Sequence, residues 1–305
     1  MTVTSLCDET GAFRRPPSAF RGWIEPGGEH PPEAGRYHLY VSLACPWAHR
    51  TIIARRLKGL EEVVSLSLVD PIRDDDGWAF TGGRFTDPVN GFNLLAQAYD
   101  ATDTAYTGRI SVPVLWDREH GVIGEIVNNE SADILRILDT AFGDLADDSV
   151  VLCPPELREE IDAVNERVYE TLNNGVYASG FARTQEAYES AVVPLFETLD
   201  WLEERLTDRR RLVGEVTTEA DWRLFTTLVR FDAVYHGHFK CNLRRIVDYP
   251  ALTRYLSELL AEPGVADTVD LDQIKRHYYG THPSINPTRI VPVGPARPLP
   301  EPAAA

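Results

Sequence analysis

The chain has 305 residues and a formal net charge of −17 at neutral pH. This length suits two domains better than one core, and 43% apolar with 25% charged residues is the usual globular mixture. Nucleic acids and anionic lipids select basic surfaces, so the acidic balance argues against both as partners. With no run near the roughly 20 apolar residues of a spanning helix and no signal-peptide pattern, a cytoplasmic protein is expected.

The four cysteines carry no paired spacing. In a chain of this size that pattern predicts reduced thiols rather than a disulfide framework, which agrees with a reducing compartment. They are Cys7, Cys45, Cys153 and Cys241.

Residues 1–35 are rich in proline, glycine and charge and show neither helical nor strand periodicity, so they are predicted to form an extended arm. YHLYVS (37–42) reads as a strand, PWAHRTIIARRLKGL (46–60) as a helix and VVSLSLV (63–69) as a strand with outward serines and inward aliphatic residues. A β-α-β unit of this kind predicts parallel pairing.

After a predicted loop over 70–108, residues 110–117 and 122–127 read as a strand hairpin, and NNESADILRILDTAF opens a helix. Pro113 lies inside the first of these strands and has no amide hydrogen for a ladder. It is therefore expected at an edge or a special turn, where a cis bond is one option.

From about residue 155 helical periodicity takes over, in four segments that begin near Glu156, Gln185, Glu219 and Ala251. The pair Thr218 and Asp221 has the spacing of a capping box. The predicted fold class is therefore an α/β domain over 36–145 followed by an all-α domain over 155–285. The proline-rich tail, 286–305, is predicted to be extended.

The stretch SLACPWAHR places Cys45 at the start of the first helix, with Pro46 suited to the first helical position. Unpaired amides and the positive end of the helix dipole favour thiolate over thiol there. His49, Arg50, Arg55 and Arg56 on the same helix are expected to add positive charge around the sulfur. The alternative is a buried structural cysteine.

Ala48 occupies the position at which a second cysteine would complete a redox pair. A mixed disulfide at Cys45 therefore has no neighbouring thiol to resolve it, and a small free thiol must do so. The motif favours one-cysteine thiol exchange.

Five segments, SLACPWAHR, SVPVLWD, NNESADI, VYHGHFKCN and IKRHYYGTHPSINPTRIVPVGP, together resemble the glutathionyl-hydroquinone reductases, the xi class of glutathione transferases. The resemblance covers most of residues 20–295. It implies a thioredoxin-like, glutathione-binding domain over 36–145, a helical substrate domain over 155–285 and a homodimer.

The resemblance also implies roles for individual residues. Cys45 matches the nucleophile, and Tyr177 matches a tyrosine that contacts the quinol and protonates the departing carbon. The residues matching substrate contacts are Trp78, Val112, Pro113, Glu130, Ser131 and Tyr278, with Tyr279 as an alternative to Tyr278.

The implied reaction strips glutathione from glutathionyl-hydroquinones through a Cys45–glutathione disulfide, with glutathione or a related small thiol as co-substrate. An omega-like thioltransferase or dehydroascorbate reductase and a non-catalytic binding protein remain as alternatives. In HGHFKC, three potential metal ligands fall within six residues: His236, His238 and Cys241. A structural role is favoured for them because no fourth ligand has the usual spacing, and no metal is expected.

Overall fold

The structure is a computed structural model that describes residues 7–301 and Ala303. It divides into two compact units. Pro17–Leu152 forms one unit, and the other combines the described residues before Pro17 with those from Cys153 onward. The predicted arm, 1–35, is described from residue 7, and its described part is shared between the units, with the break after Pro16; residues 1–6 lie outside the described residues.

The first unit is built on a mixed four-stranded sheet in the order β2-β1-β3-β4. β1 pairs in parallel with β2 and antiparallel with β3, and β3 pairs antiparallel with β4 through an irregularity after Leu115. The parallel pairing predicted for the β-α-β unit is confirmed. The elements are β1 (Tyr37–Val41), α1 (Pro46–Leu57), β2 (Val64–Leu68), α2 (Ala96–Thr102), β3 (Val114–Asp117), β4 (Glu125–Asn128) and α3 (Ser131–Thr140), with a 3₁₀ turn at Gly143–Leu145.

The side-chain alternation predicted for β2 is wrong. Ser67 is 4% exposed, whereas Leu66 and Leu68 are partly exposed. The neighbouring strand β1 is buried at every position, so both faces of the sheet are covered and alternation does not separate core from solvent.

The second unit is helical, as predicted. Its α-helices are α4 (Arg158–Val168), α5 (Gly175–Phe181), α6 (Gln185–Thr207), α7 (Glu219–Arg230), α8 (His236–His238), α9 (Pro250–Leu260) and α10 (Leu271–Thr281). π-helical segments cover Tyr169–Asn173 and Phe231–Tyr235, and 3₁₀ turns cover Pro155–Leu157, Ile246–Asp248 and Ala266–Thr268. The predicted capping box is present at the start of α7.

Two helices were absent from the sequence prediction. α2 lies inside the segment predicted as a loop over 70–108, and α10 lies between the last predicted helix and the tail. The described tail residues, 286–301 and 303, contain no helix or strand. None of the described helices, including the 23-residue α6, is apolar enough over a sufficient length to cross a bilayer.

Candidate active site

Cys45 occupies the N-cap position of α1, in an extended conformation with φ −82° and ψ 121°. Its carbonyl accepts the amide of His49 at 2.9 Å, which starts the helix, and Pro46 follows it in the first turn. The residue is 9% exposed, and its thiol Sγ lies 3.7 Å from the carbonyl oxygen of Val112. The sulfur therefore lies between a helix N-terminus and the chain that enters β3.

The expected cluster of four basic residues around the sulfur is not formed. Arg55 and Arg56 belong to the last turn of α1. Arg55 donates to the carbonyl of Glu61 at 2.9 Å, and Arg56 pairs with the Glu61 carboxylate at 2.7 Å. Ten residues of helix place Arg55 about 15 Å along the axis from Cys45, so the prediction is wrong for these two arginines.

The other two basic residues of the predicted cluster are buried in the helix packing. His49 is fully buried and Arg50 is 1% exposed, with its guanidinium 4.9 Å from the ring centroid of Trp47. The feature beside the Cys45 sulfur that the structure bears out is thus the N-terminal end of α1.

Val112 and Pro113 form the turn that precedes β3, and the peptide bond between them is cis. This is one of the conformations expected for a proline at that position. Val112 is 4% exposed and presents its carbonyl to Cys45. The main chain at this point is thus fixed beside the thiol.

Glu130 and Ser131 start α3. Glu130 is the N-cap, and its carboxylate accepts the amide of Ala132 at 3.2 Å and the hydroxyl of Ser18 at 2.8 Å. Ser131 is 3% exposed, with its hydroxyl 3.4 Å from the same carboxylate. Ser18, which was not singled out from the sequence, thereby ties the arm to a predicted binding residue.

Trp78 lies in the segment between β2 and α2. Its indole is 6% exposed, and its carbonyl accepts the amide of Leu95 at 2.9 Å. Cys45, Trp78, Val112, Pro113, Glu130 and Ser131 all belong to the unit Pro17–Leu152.

The helical unit contains a cluster of three tyrosine hydroxyls. Tyr278 on α10 lies at its centre, 2.6 Å from the hydroxyl of Tyr177 and 3.0 Å from that of Tyr235. Burial, followed by the neighbouring tyrosines, raises the pKa of Tyr278 well above its ordinary value, and burial does the same to the pKa of Tyr235. Both phenols therefore stay protonated and can donate hydrogen bonds.

The structure distinguishes the two adjacent tyrosines of RHYYG. The hydroxyl of Tyr278 joins the cluster, whereas that of Tyr279 lies 3.4 Å from the carbonyl of Ala233 and its ring packs on His238. Tyr177 is partly exposed, and the guanidinium of Arg15 lies 4.9 Å from its ring centroid. It is the tyrosine of the three whose side chain reaches solvent.

The sequence matches two glutathione S-transferase family models, the N-terminal domain over residues 44–141 and the C-terminal domain over 185–258. It is 57% identical to glutathionyl-hydroquinone reductase PcpF of Sphingobium chlorophenolicum, covering 95% of this chain and 92% of that protein. It is 48% identical to glutathionyl-hydroquinone reductase YqjG of Escherichia coli, over 96% and 92%. A solved xi glutathione transferase of Phanerochaete chrysosporium superposes with a TM-score of 0.93 at 48% identity, over 97% of this chain and 96% of that one.

The chain belongs to the glutathionyl-hydroquinone reductases, the xi class of glutathione transferases. The fold class predicted from the sequence, a thioredoxin-like domain followed by a helical transferase domain, is confirmed.

The sequence analysis of this xi-class chain missed one member of the tyrosine cluster, Tyr235, and the nearby Arg230. Tyr235 is fully buried and hydrogen-bonded to Tyr278, and Arg230 is fully buried one turn earlier and donates to the carbonyl of Thr226 at 2.7 Å. A tyrosine and an arginine on an amphipathic helix look like ordinary core and surface residues. The signal available was the segment VYHGHFKCN, which contains Tyr235 and contributed to the resemblance.

One of the two histidines in the HGHFKC segment, His238, contacts a histidine outside the segment. The ring nitrogen Nε2 of His238 lies 3.1 Å from Nδ1 of His282, and the thiol of Cys241 is directed at the carbonyl of Phe239 at 3.8 Å. Burial lowers the pKa of His238 to about 4 and raises the pKa of Cys241 to about 12. These groups are packed into the core as neutral side chains, in keeping with the structural role favoured above.

Proposed function

We propose that this chain catalyses the reductive deglutathionylation of glutathionyl-hydroquinones, with Cys45 as the nucleophile. The observation that carries the proposal is a single thiol at the N-terminus of α1, with Ala48 in place of a second cysteine, in a chain 57% identical to a glutathionyl-hydroquinone reductase. Such a thiol forms a mixed disulfide and depends on a free thiol to resolve it.

Glutathione is the proposed co-substrate. The glutathione-bound structure of YqjG from Escherichia coli shares 47% identity and a TM-score of 0.87 with this chain, over 91% of this chain and 93% of that one. The backbone at Val112, fixed by the Pro113 turn, is proposed to pair with the cysteinyl part of glutathione like an added strand.

The start of α3 is proposed to hold the γ-glutamyl group. Ser131 and the amides of the first helical turn suit a carboxylate, and the Glu130 carboxylate suits an ammonium. Trp78 is proposed to line the same site. The physiological thiol is glutathione or a relative that carries the same γ-glutamyl group.

The proposed reaction has two steps. In the first, the Cys45 thiolate attacks the glutathione sulfur, the carbon–sulfur bond breaks, and its electron pair stays on the ring carbon. Tyr177 delivers a proton to that carbon through its hydroxyl, and the hydroquinone leaves behind a Cys45–glutathione disulfide. In the second, a glutathione thiolate attacks this disulfide at the glutathione sulfur, which releases oxidised glutathione and restores the Cys45 thiolate.

Tyr278 is proposed to contact the quinol and to support Tyr177 through their shared hydrogen bond of 2.6 Å. Because the pKa of Tyr278 is raised by burial, its hydroxyl keeps its proton at neutral pH. It can therefore donate a hydrogen bond to the Tyr177 oxygen after that side chain has given up its proton, and water restores the proton to the partly exposed Tyr177.

The second candidate is an omega-like thioltransferase or dehydroascorbate reductase. The support for this candidate is a Schizosaccharomyces pombe relative named glutathione S-transferase omega-like 2, which is 44% identical over 96% of both chains. A third is a binding protein that keeps the transferase fold without catalysis. A cytoplasmic homodimer is proposed for all three, and light scattering on the purified protein measures the oligomeric state.

The test uses two substrate types, a glutathionyl-hydroquinone and a glutathione mixed disulfide with an alkyl thiol. Both require a nucleophilic thiol, but only the first requires protonation of carbon. The Cys45→Ser variant is expected to lose both activities, and Cys7→Ser, whose hydroxyl can replace the thiol contact to the carbonyl of Phe181, is the matched control.

The Tyr177→Phe variant is expected to lose about 10²-fold or more in kcat for the glutathionyl-hydroquinone, within the usual range for general acids. Its mixed-disulfide activity is expected to stay near that of the parent. The control is Tyr188→Phe, because the described hydrogen bond of the Tyr188 hydroxyl goes to the backbone carbonyl of Lys240. Full activity of Cys45→Ser would refute the reductase proposal, and turnover of the mixed disulfide alone would favour the omega-like alternative.

A further inference from the structure

The part of the arm before Pro17 carries an arginine beside the tyrosine that is proposed to protonate the substrate. The guanidinium carbon of Arg15 lies 4.9 Å from the ring centroid of Tyr177 and 5.6 Å from that of Phe13. The rings of Phe13 and Tyr177 are stacked, with 6.5 Å between their centroids. A cation this close to an aromatic ring is attracted to its face. All three residues belong to the helical unit.

Hydrogen bonds hold the side chain of Arg15 and the arm in place. Nε of Arg15 donates to the side-chain oxygen of Asn174 at 2.8 Å. Asn174 is the N-cap of α5, and its carbonyl accepts the amide of Tyr177 at 3.0 Å. The arm itself is tied to the start of α6, where the hydroxyl of Thr184 donates to the carbonyl of Thr10 at 3.0 Å. One residue thus orients the guanidinium and starts the helix that carries Tyr177.

Tyr177 is the member of the tyrosine cluster that can give up its proton. Arg15 faces it from the arm, Tyr235 from the second π-helical segment and Tyr278 from α10. Burial, followed by the charge of Tyr177, raises the pKa of Tyr235 and of Tyr278 well above its ordinary value, although the buried Arg230 acts in the opposite direction on both. The two buried phenols therefore keep their protons when the partly exposed Tyr177 loses its own.

The position of Arg15 suits the charge that appears on Tyr177 during the proposed reaction. When Tyr177 passes its proton to the ring carbon of the substrate, the negative charge moves to the Tyr177 oxygen. A nearby positive charge stabilises a tyrosinate relative to the neutral phenol. Tyr278 donates a hydrogen bond to the same oxygen, across 2.6 Å. Both contacts strengthen as the charge develops, so they stabilise the transition state more than the bound substrate.

We propose that Arg15 is a positioning residue of the proposed reaction, and that its guanidinium stabilises the tyrosinate formed at Tyr177 when the ring carbon is protonated. The inference rests on the proposed function, in which Tyr177 is the general acid. Arg15 itself transfers no proton, because the proton moves from the Tyr177 oxygen to the carbon and water later replaces it. A glutathione mixed disulfide with an alkyl thiol releases a thiolate, which needs no proton from Tyr177.

The test measures kcat and KM of Arg15 variants with a glutathionyl-hydroquinone and with the mixed disulfide over a range of pH. Arg15→Gln is expected to lose about three- to tenfold in kcat for the glutathionyl-hydroquinone, with little change in KM, because its general acid is weaker. The fall of kcat at alkaline pH is expected to move to higher pH. Mixed-disulfide turnover is expected to stay near that of the parent, and Arg15→Lys, which keeps the charge, is expected to retain most of kcat.

The matched control is Arg14→Gln, which makes the same charge change one residue earlier in the arm. The side chain of Arg14 is 76% exposed and pairs with Asp8 at 2.8 Å, so this variant is expected to behave as the parent with both substrates. Circular dichroism verifies the fold of each variant. An unchanged kcat in Arg15→Gln would overturn the proposal, and so would equal losses with the two substrates or an equal loss in Arg15→Lys.

A double variant shows whether Arg15 acts through Tyr177. Arg15→Gln/Tyr177→Phe is expected to have the kcat of Tyr177→Phe alone, because no tyrosinate remains to be stabilised. Independent losses that multiply would overturn the proposal. If Tyr177→Phe keeps its full kcat for the glutathionyl-hydroquinone, the proposed general acid and this inference fall together. If Tyr177→Phe loses kcat and Arg15→Gln does not, the role of Arg15 alone is overturned.

Discussion

Removing the central hydroxyl of the tyrosine cluster is expected to destabilise the helical unit more than removing either outer one. In Tyr278→Phe, both hydrogen bonds of the central hydroxyl are lost, at 2.6 Å to Tyr177 and 3.0 Å to the fully buried Tyr235, and each lost bond costs about 0.5–1.5 kcal/mol. In Tyr235→Phe, the hydroxyl of Tyr278 keeps its bond of 2.6 Å to Tyr177, so a loss of about 0.5–1.5 kcal/mol is expected.

The double variant Tyr235→Phe/Tyr278→Phe loses the same two hydrogen bonds of the central hydroxyl as Tyr278→Phe. Its free energy of unfolding is therefore expected to be no lower than that of Tyr278→Phe alone, which corresponds to a coupling of about 1 kcal/mol between the two residues. Helical circular dichroism during heating measures the effect. A loss of about 2 kcal/mol in Tyr278→Phe corresponds to a fall of roughly 4–8 °C in Tm.

Tyr188→Phe is again the control, because its hydroxyl bonds to the exposed carbonyl of Lys240. If Tyr235→Phe lowers Tm as much as Tyr278→Phe, the central hydroxyl has no special position. The reasoning would also be refuted if the double variant lost the sum of the two single losses in free energy of unfolding.

Three further predictions concern the packing and charge of the two units. Gly180→Ala places a Cβ 2.2 Å from the ring of Phe239 and is expected to cost about 1–3 kcal/mol, whereas Gly175→Ala on the same helix meets no atom closer than 3.8 Å and should be neutral or stabilising in a urea titration. Asp221→Ala removes the capping box of α7 and acceptors for two buried backbone amides, so a loss of about 3 kcal/mol is expected by the same assay. Burial, and then a neighbouring arginine, lowers the pKa of His38 to about 3, so its neutral form contributes stability above its unfolded pKa near 6.5 that is lost as pH falls toward 3. His38→Gln is expected to flatten this part of the stability profile, by up to about 3 kcal/mol at pH 4, and an unchanged profile would contradict the assignment.

The elements with strong periodicity or distinctive boundary residues could be predicted from the sequence. β1 and α1 begin at the predicted residues, because the strand-like run YHLYVS precedes Cys45 and Pro46 suits a first helical turn. α2 was missed because it has seven residues, an N-cap leucine without a capping side chain, and contacts with β4 that only the fold provides. α10 carried a usable signal, since Asp270 accepts the amide of Gln273 at 3.0 Å as its N-cap.

The candidate site, too, could be predicted from the sequence only in part. The position of Cys45 followed from local sequence, whereas the contact of its sulfur with Val112 depends on the sheet and could be anticipated only through the resemblance. The directions of the basic residues on α1 depend on where β2 and Glu61 lie, so charge counted along the helix overestimated the charge around the sulfur. Tyr235 was missed because residues of three separate helices meet at its hydroxyl.

Each of the two π-helical segments holds about one residue more than a regular helical turn. Each wide turn lies directly beside a member of the tyrosine cluster, because Tyr235 ends the second segment and Tyr177 follows the first by four residues. Shortening either segment by one residue would restore a regular helix and leave the residues beyond it in nearly the same orientation, because a π-turn holds about one residue more than an α-turn. A single-residue deletion within a regular α-helical turn would instead rotate the residues beyond it by about 100° and separate the three hydroxyls even when every tyrosine is kept. Tolerance of a one-residue deletion is therefore expected within Tyr169–Asn173 or Phe231–Tyr235 and not in the regular turns beside them.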